Sequence, residues 1–186
     1  YFARPDSEID GISIHASRLK AGRILYESFP VDADVVIGVP DSGLDAALGY
    51  SQASGIPYGI GLIKNKYIGR TFIAPGQENR MDKVRIKLAP IIDTVKNKRV
   101  ILIDDSIVRG TTSQRIVNLL RQAGAKEIHL FVTAPPFKHP CYYGTDIDSV
   151  EHLIACNHSI DEIKTLVGAD NLGYFPMERL SELCDG

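Results

Sequence analysis

Hydrophobic residues along this chain fall into short uninterrupted runs with little polar alternation. The first run covers residues 33–40 and is typical of a strand that is buried on both faces. It precedes a segment of small residues that predicts a helix, with Asp41 or Ser42 as its N-terminal cap and Gly55 just past its end. The next predicted strand covers 58–63, so this part of the chain predicts a strand–helix–strand unit.

A second unit of the same kind follows. Residues 99–103 form an apolar run that ends in two adjacent aspartates, and a loop continues to Thr112. Apolar residues at helical spacing then predict a helix over 113–123, which Gly124 terminates. Residues 128–133 return as a strand, and this spacing is normal for the crossover between two parallel strands.

The remaining pattern adds helices at the two ends of the chain. Helices are predicted at 14–27 and 160–166, with a last short helix at 176–183, and the prolines at 135 and 136 interrupt the chain. We find no internal repeat and no linker. The sequence therefore predicts one α/β domain over 1–186, with an open, mainly parallel sheet flanked by helices.

Two distinctive loops, at 39–43 and 104–112, follow the carboxyl ends of predicted strands. Ligands of open α/β sheets bind in the crevice beyond these strand ends. We therefore expect the two loops to face each other across one site.

Composition narrows the class of protein. The chain has 186 residues, a net charge of −2 and 44% hydrophobic residues, which fits a globular domain and excludes disordered, collagen-like and coiled-coil chains. Three widely spaced cysteines favour a reducing, cytoplasmic compartment, and no apolar run is long enough to span a membrane. The chain begins at Tyr1 without Met, so we interpret it as a piece of a longer protein.

The second loop carries the strongest chemical signal. Asp104 and Asp105, which we call the acid pair, offer hard oxygens suited to ribose hydroxyls or to Mg²⁺. After them, Ser106 and the 110–112 segment offer hydroxyls and free backbone at a helix start, where a phosphate is favoured. The combination predicts a ribose 5-phosphate site, whereas an acidic surface turn with a threonine cap is the alternative. Neither the Walker A nor the Gly-x-Gly-x-x-Gly pattern occurs in the chain.

Positive charge is concentrated in residues 64–87. Seven basic residues and two acidic residues give this segment a net charge of +5, while the rest of the chain carries −7. Because the segment has no clear periodicity, it fits a lid that closes over a polyphosphate, and a solvated basic loop is the alternative. Since the rest of the chain has a net negative charge, we expect no nucleic-acid partner.

Other polar residues have simpler explanations. A helix cap is the alternative explanation of Ser42, and no Gly-x-Ser-x-Gly elbow marks it as a nucleophile. His152, Cys156 and His158 could ligate a metal on a helix, but apolar packing by this segment is the favoured interpretation because a fourth ligand is missing.

The run at 100–112 resembles the phosphoribosyl pyrophosphate signature of the type I phosphoribosyltransferases. Further segments, at 1–7, 38–42, 63–73 and 139–144, are similar to the phosphoribosyltransferase domain of the glutamine phosphoribosylpyrophosphate amidotransferase family. The resemblance runs over essentially the whole chain. It implies the type I phosphoribosyltransferase fold with a flexible lid loop, in a fragment that lacks the family's amino-terminal glutaminase domain.

The resemblance also implies a role for each motif. The first loop would contact pyrophosphate through Pro40, Asp41, Ser42 and Gly43, with Ser42 on the metal side. The acid pair would hold the ribose hydroxyls and Mg²⁺. The 5-phosphate would be bound by Ser106, Arg109, Gly110, Thr111 and Thr112, although Arg109 is equally explained as a solvated loop charge. The lid would supply the catalytic residues Lys64, Tyr67 and Arg70 and the substrate contact Thr71.

The implied reaction transfers the phosphoribosyl group of phosphoribosyl pyrophosphate (PRPP) to ammonia, giving 5-phosphoribosylamine and pyrophosphate in the first committed step of purine synthesis. The family draws ammonia from its glutaminase domain, so the isolated piece is expected to depend on added ammonia. Purine nucleotides as inhibitors and a homo-oligomer are further implications.

Some family members bind a four-iron, four-sulfur cluster, and Cys141 resembles one of its ligands. The other ligands would lie outside this chain, and Cys184 does not clearly fit the pattern, so we expect no complete cluster here. Two alternative functions stay open. They are a salvage phosphoribosyltransferase that uses a nucleobase, and a non-catalytic regulatory domain that binds PRPP or nucleotides.

Overall fold

The computed structural model describes residues 3–64, 88–140 and 150–184. In chain order its strands and helices are β1 (Glu8–Ile9), β2 (Ile12–Ser13), α1 (Ile14–Ser28), β3 (Val35–Gly38), α2 (Leu44–Ser54), β4 (Leu62–Lys64), β5 (Leu88–Pro90), α3 (Ile92–Val95), β6 (Arg99–Asp104), α4 (Thr111–Gln122), β7 (Glu127–Val132), α5 (Ile154–Asn157), α6 (Ile160–Val167) and β8 (Asn171–Tyr174). Short 3₁₀ helices cover Val150–His152 and Met177–Cys184.

The centre of the described part of the chain is a parallel sheet with the strand order β3-β6-β7-β8. Every residue of β3 is buried, as is every residue of β6 after Arg99. This double coverage explains why the apolar runs of the sequence lack polar alternation. Two antiparallel pairs, β1 with β2 and β4 with β5, lie outside this sheet.

Helical layers cover both faces of the sheet. Ile101 and Ile103 of β6 pack with α1 and α2, whereas Val100 and Leu102 point to the opposite face and pack with α4 and α6. All four side chains are at most 1% exposed. Burial of these alternating apolar residues against the two layers is the main contribution to the stability of the domain.

The contact between α1 and α2 requires glycine on both helices. A Cβ atom on Gly22 would lie 1.9 Å from the carbonyl oxygen of Ala46, and one on Gly49 would lie 2.0 Å from that of Leu19. Because α2 begins directly after the 39–43 loop, this close helix packing also fixes one end of that loop.

Most predicted elements are confirmed. The structure contains the helix at 14–27, the apolar strands at 33–40 and 99–103, the helices at 113–123 and 160–166, and the strand at 128–133, each with bounds that shift by a few residues. The predicted last helix, at 176–183, is a 3₁₀ helix. Gly55 ends α2 in the left-handed conformation, with φ 74°.

The predicted strand at 58–63 is wrong, because these residues do not form one continuous strand. Only Tyr58 pairs with β3, through an isolated parallel bridge to Val36, and the chain then leaves the sheet and forms β4 from Leu62. Glycines allow this course, because a Cβ atom on Gly61 would lie 2.7 Å from the side chain of Ile37.

Two predicted helix starts also need correction. Neither Asp41 nor Ser42 caps α2, whose N-cap is Gly43 without a side-chain hydrogen bond. Helix α4 begins at Thr111, so Thr111 and Thr112 belong to its first turn. Each helix begins directly after a glycine, Gly43 for α2 and Gly110 for α4, so the residues before that glycine belong to the loop.

Candidate functional site

The two distinctive loops lie side by side at the carboxyl edge of the sheet. Strands β3 and β6 are neighbours, with Gly38 opposite Ile103, so the loop at 39–43 and the loop at 105–110 leave the sheet next to each other. The N–H of Val39 extends the pairing by donating to the carbonyl oxygen of Ile103 at 2.8 Å. This arrangement confirms that the two loops lie next to each other at the carboxyl ends of the strands.

The 39–43 loop is held by close backbone contacts that leave no room for a side chain at Gly38 or Gly43. A Cβ atom on Gly43 would lie 2.3 Å from the carbonyl oxygen of Ile103, and one on Gly38 would lie 2.6 Å from that of Gly43. The N–H of Gly43 donates to the carbonyl oxygen of Val39 at 2.9 Å, and the peptide bond between Pro40 and Asp41 is cis. The loop therefore forms a tight turn against the end of β6.

Lys64, at the end of β4, reaches the same loop. Its ammonium group forms a hydrogen-bonded ion pair with the carboxylate of Asp41. Both side chains are exposed, at 45% and 75%, so solvent screens the pair and it contributes little to stability. The contact places a positive charge directly over the first loop.

The acid pair divides into a buried and an accessible carboxylate. Asp104 is 6% exposed, and burial together with the neighbouring Asp105 raises its pKa to about 7. The N–H of Asp105 donates to Asp104 Oδ1 at 2.8 Å, which opposes this rise in the pKa by stabilising the carboxylate. Asp105 is only partly buried, and its Oδ1 accepts a hydrogen bond from Ser106 Oγ at 2.8 Å.

Sequence reasoning missed the contribution of Thr133, which follows β7. Its N–H donates to the carbonyl oxygen of Asp104 at 3.0 Å, and its hydroxyl lies 3.4 Å and 3.3 Å from the carbonyl oxygens of Asp104 and Asp105. These contacts fix the backbone of the acid pair from the neighbouring strand. A threonine after an apolar strand carries no local signal for this role, which depends on the order of the strands.

The 105–110 loop leads into the amino terminus of α4. Ile107 anchors the loop, because its side chain is 1% exposed and packs in the core. Gly110 precedes the helix with φ 77°, and the N–H of Gln114 donates to its carbonyl oxygen at 2.9 Å. The N–H groups of residues 111–113 therefore lie in the part of a helix where an anion is favoured. Arg109, Thr111 and Thr112 are exposed beside them.

Several predicted residues lie outside the described part of the chain: Tyr67, Arg70, Thr71 and Cys141. Of the other polar candidates, Cys156 donates through its thiol to the carbonyl oxygen of Lys138 at 3.2 Å, beside the fully buried Leu153. Within residues 3–64, 88–140 and 150–184, no group of three or more His, Cys, Asp or Glu side chains could hold a metal. The packing interpretation of the 152–158 segment thus accounts for its described contacts.

The described residues fit Mg²⁺ and offer no iron–sulfur site. Mg²⁺ is commonly held by one or two carboxylates with substrate phosphates completing its shell, and Asp105 with the partly buried Ser42 provides such oxygens at one edge. Cys156 and Cys184 are free and lie in separate elements, so the described cysteines do not form a cluster site. The described helices are all too short or too polar to cross a membrane.

Comparisons with known proteins agree with the family resemblance of the sequence. The chain is 54% identical over 180 residues to the amidophosphoribosyltransferase of Bacillus subtilis (strain 168), and 56% identical over 180 residues to that of Methanocaldococcus jannaschii. Each alignment covers 97% of this chain and 38% of the relative. The chain thus spans less than half the length of the curated relatives it matches.

A solved structure gives the same relationship. The glutamine phosphoribosylpyrophosphate amidotransferase from B. subtilis, complexed with ADP and GMP, superposes with a TM-score of 0.87 and 53% identity, over 98% of this chain and 40% of that chain. The sequence also matches the family described as phosphoribosyl transferase domain over residues 10–171. With the family's region covering nearly the whole α/β sheet and both loops of the crevice, this chain belongs to the phosphoribosyl transferase domain family.

Proposed function

We propose that this chain transfers the phosphoribosyl group of PRPP to ammonia, giving 5-phosphoribosylamine and pyrophosphate. The chain would act as the transferase part of a longer protein whose glutaminase domain supplies the ammonia. Relatives named amidophosphoribosyltransferase, 54% and 56% identical over this domain, support the choice of ammonia as acceptor. The structural support is the pairing of β3 with β6, which brings the two loops of the crevice together.

In this proposal each loop binds one end of the substrate. The first loop, from Pro40 to Gly43, contacts the pyrophosphate with its backbone, and Lys64 above it adds positive charge. The 105–110 loop and the first turn of α4, with Ser106, Thr111 and Thr112, bind the 5-phosphate at the helix amino terminus. Arg109 is exposed beside this turn and adds positive charge.

The acid pair orients the ribose between the two phosphate groups. Asp105 is the accessible carboxylate and contacts the ribose hydroxyls. Asp104 supports it from the interior by accepting its N–H, and Thr133 holds the backbone of both residues. Mg²⁺ bound near Ser42 and the acid pair would neutralise charge on the leaving pyrophosphate.

The reaction requires charge stabilisation more than a strong base. As the bond between carbon 1 of the ribose and the pyrophosphate oxygen breaks, its electron pair leaves with the pyrophosphate and positive charge builds on the ring. Lys64, with the lid residues Tyr67, Arg70 and Thr71, stabilises the departing oxygens and excludes water that would compete with ammonia. The nitrogen of ammonia forms the new bond to carbon 1 and then loses a proton to solvent.

Nucleotides are a further class of ligand for the same site. The B. subtilis structure is described as a complex with ADP and GMP. A nucleoside monophosphate carries the same ribose 5-phosphate group as PRPP, so we propose that purine nucleotides compete for the 105–110 loop. A homo-oligomer is part of the same proposal.

The test measures turnover of the 186-residue chain with Mg²⁺, PRPP and excess ammonium. We expect ammonia-dependent release of pyrophosphate with formation of phosphoribosylamine. Asp105→Asn should lose this activity, whereas the matched control Asp93→Asn, an exposed acid in the first turn of α3, should retain it. Consumption of PRPP with free nucleobases in place of ammonia would favour the salvage alternative. Binding of PRPP without any turnover would favour the regulatory alternative, and absence of PRPP binding would refute the proposal.

A further inference from the structure

The outer side of the 105–110 loop is covered by a segment to which the proposed function assigns no role. This segment, residues 150–158, contains the 3₁₀ helix Val150–His152 and the short helix α5. Leu153, between the two, is completely buried and anchors the segment in the domain.

Ile154 joins this segment to the loop at two points. Its N–H donates to the carbonyl oxygen of Val108 at 2.9 Å. Its side chain lies over Gly110, where a Cβ atom would approach Ile154 Cδ1 to 2.6 Å. The two contacted residues are the ones that lead from the loop into α4, so Ile154 restrains the turn that aims the first N–H groups of the helix.

The loop has other restraints besides Ile154. Ile107 is buried in the core, and the hydroxyl of Ser106 is bonded to Asp105. From outside the loop and α4, the nearest described contact of residues 108–110 is Ile154, and Val167 follows, whose Cγ1 would lie 3.9 Å from a Cβ atom on Gly110. Without Ile154, the turn must be ordered when a phosphate binds, and that ordering lowers affinity without changing any direct contact to the ligand.

We infer that Ile154 is a positioning residue for the 5-phosphate of the substrate, an inference that rests on the proposed function. It contacts the loop through its backbone N–H and its side chain and does not touch the ligand. Loss of either contact should weaken binding of the 5-phosphate end and leave the pyrophosphate end unaffected, because the first loop makes no described contact with Ile154.

Three variants separate the two contacts. Ile154→Ala removes the side-chain contact with Gly110 and keeps the N–H. Ile154→Pro removes the N–H, and the site suits proline because Ile154 is the first helical residue of α5 and Leu153 before it is extended, with φ −86° and ψ 109°. Ile154→Leu keeps the N–H and a methyl group at the δ position, and it tests rescue. Leu166→Ala is the matched control, since Leu166 lines the same outer cavity from α6.

The experiment titrates ribose 5-phosphate and magnesium pyrophosphate separately into each variant by calorimetry, after circular dichroism has established that the variant is folded. We expect Ile154→Ala and Ile154→Pro to bind ribose 5-phosphate about fivefold more weakly, the effect of one lost hydrogen bond or small apolar contact. Pyrophosphate affinity should stay within about twofold, as should both affinities of Ile154→Leu and Leu166→Ala.

Equal losses for both ligands, or the same loss in Leu166→Ala, would show a merely structural role and overturn the inference. Unchanged affinity for ribose 5-phosphate in folded Ile154→Ala and Ile154→Pro would overturn it as well. Failure of the unsubstituted chain to bind ribose 5-phosphate or PRPP is a different result, because it would refute the proposed function itself and with it the positioning role.

Discussion

Gly43→Ala tests whether close backbone approach, and not backbone conformation, requires glycine in the first loop. Gly43 has φ −84° and ψ −7°, which alanine adopts without strain. From conformation alone, the substitution should therefore stabilise the protein by about 0.4–1 kcal/mol, because it restricts the unfolded chain. The close packing around Gly43 predicts instead that the substitution destabilises the protein.

The size of the effect follows from the two backbones that meet at this position. The new Cβ atom would lie 2.3 Å from the carbonyl oxygen of Ile103 and 2.9 Å from the nitrogen of Val39. Relief of this overlap needs a displacement of about 1 Å between the loop and β6, and neither backbone atom can rotate away. We expect a loss of about 3 kcal/mol in the free energy of unfolding, at the upper end of overpacking effects. For a domain of this size the midpoint of thermal unfolding should fall by about 6–12 °C.

The assay compares Gly43→Ala with Gly55→Ala by thermal and urea unfolding and by titration with magnesium pyrophosphate. Gly55 has φ 74° and open space around it, so its substitution costs about 1 kcal/mol through conformation alone. Only Gly43→Ala should also weaken pyrophosphate binding, since the displaced loop is the proposed pyrophosphate contact. A Gly43→Ala variant that melts no lower than Gly55→Ala, with unaltered pyrophosphate affinity, would refute this reasoning.

Three further predictions concern charged pairs and supporting contacts, two of them at the site and one at the starts of β3 and β6. Lys64→Ala should weaken pyrophosphate binding about tenfold and reduce the salt dependence of this binding. The free energy of unfolding should change by less than about 0.5 kcal/mol, because the ion pair with Asp41 is exposed. A large loss of stability with unchanged binding would contradict this prediction. Asp34 pairs with Arg99, whose hydrogen bonds lower the Asp34 pKa from 3.8 to about 2, so the carboxylate stabilises the fold above about pH 4 and loses this effect as the pH falls towards 2. Urea unfolding should accordingly show Asp34→Asn to be less stable than the unsubstituted chain at pH 7, with a difference that shrinks below pH 4, and a difference independent of pH would rule this out. Thr133→Val keeps the side-chain size but removes the hydroxyl that donates to the backbone of the acid pair. Calorimetry should show PRPP binding weakened about threefold. An unchanged affinity would show that the backbone N–H of Thr133 alone holds the acid pair.

The sequence predicted best those elements whose own residues carry a strong pattern. β3 and β6 are uninterrupted apolar runs, and α4 has an apolar stripe at helical spacing, so local sequence was sufficient for all three. The strand β8 was not predicted, because Asn171 and Gly173 interrupt its apolar character. It forms because it pairs with β7, and Gly173 fits where a Cβ atom would lie 2.8 Å from the ring of Phe29.

The same division applies to the candidate site. The residue types of the two loops indicated a phosphate and ribose site, because hydroxyls, glycines and paired carboxylates recur there in a recognisable order. The burial of Asp104 and the supporting contacts from Thr133 and Ile154 were not predictable. These features depend on which strands become neighbours and on where a distant segment packs, and no local pattern encodes either.

The pairing of β3 with β6 also determines when the site can exist during folding. Asp34 and Arg99, which join the starts of these two strands, are 65 residues apart in sequence. Contacts of such long sequence separation form late and slowly, since closing the intervening chain costs entropy before any pairing is gained. Each strand–helix unit by itself carries only half of the crevice, so ligand binding should appear together with the cooperative formation of the whole sheet and not before it.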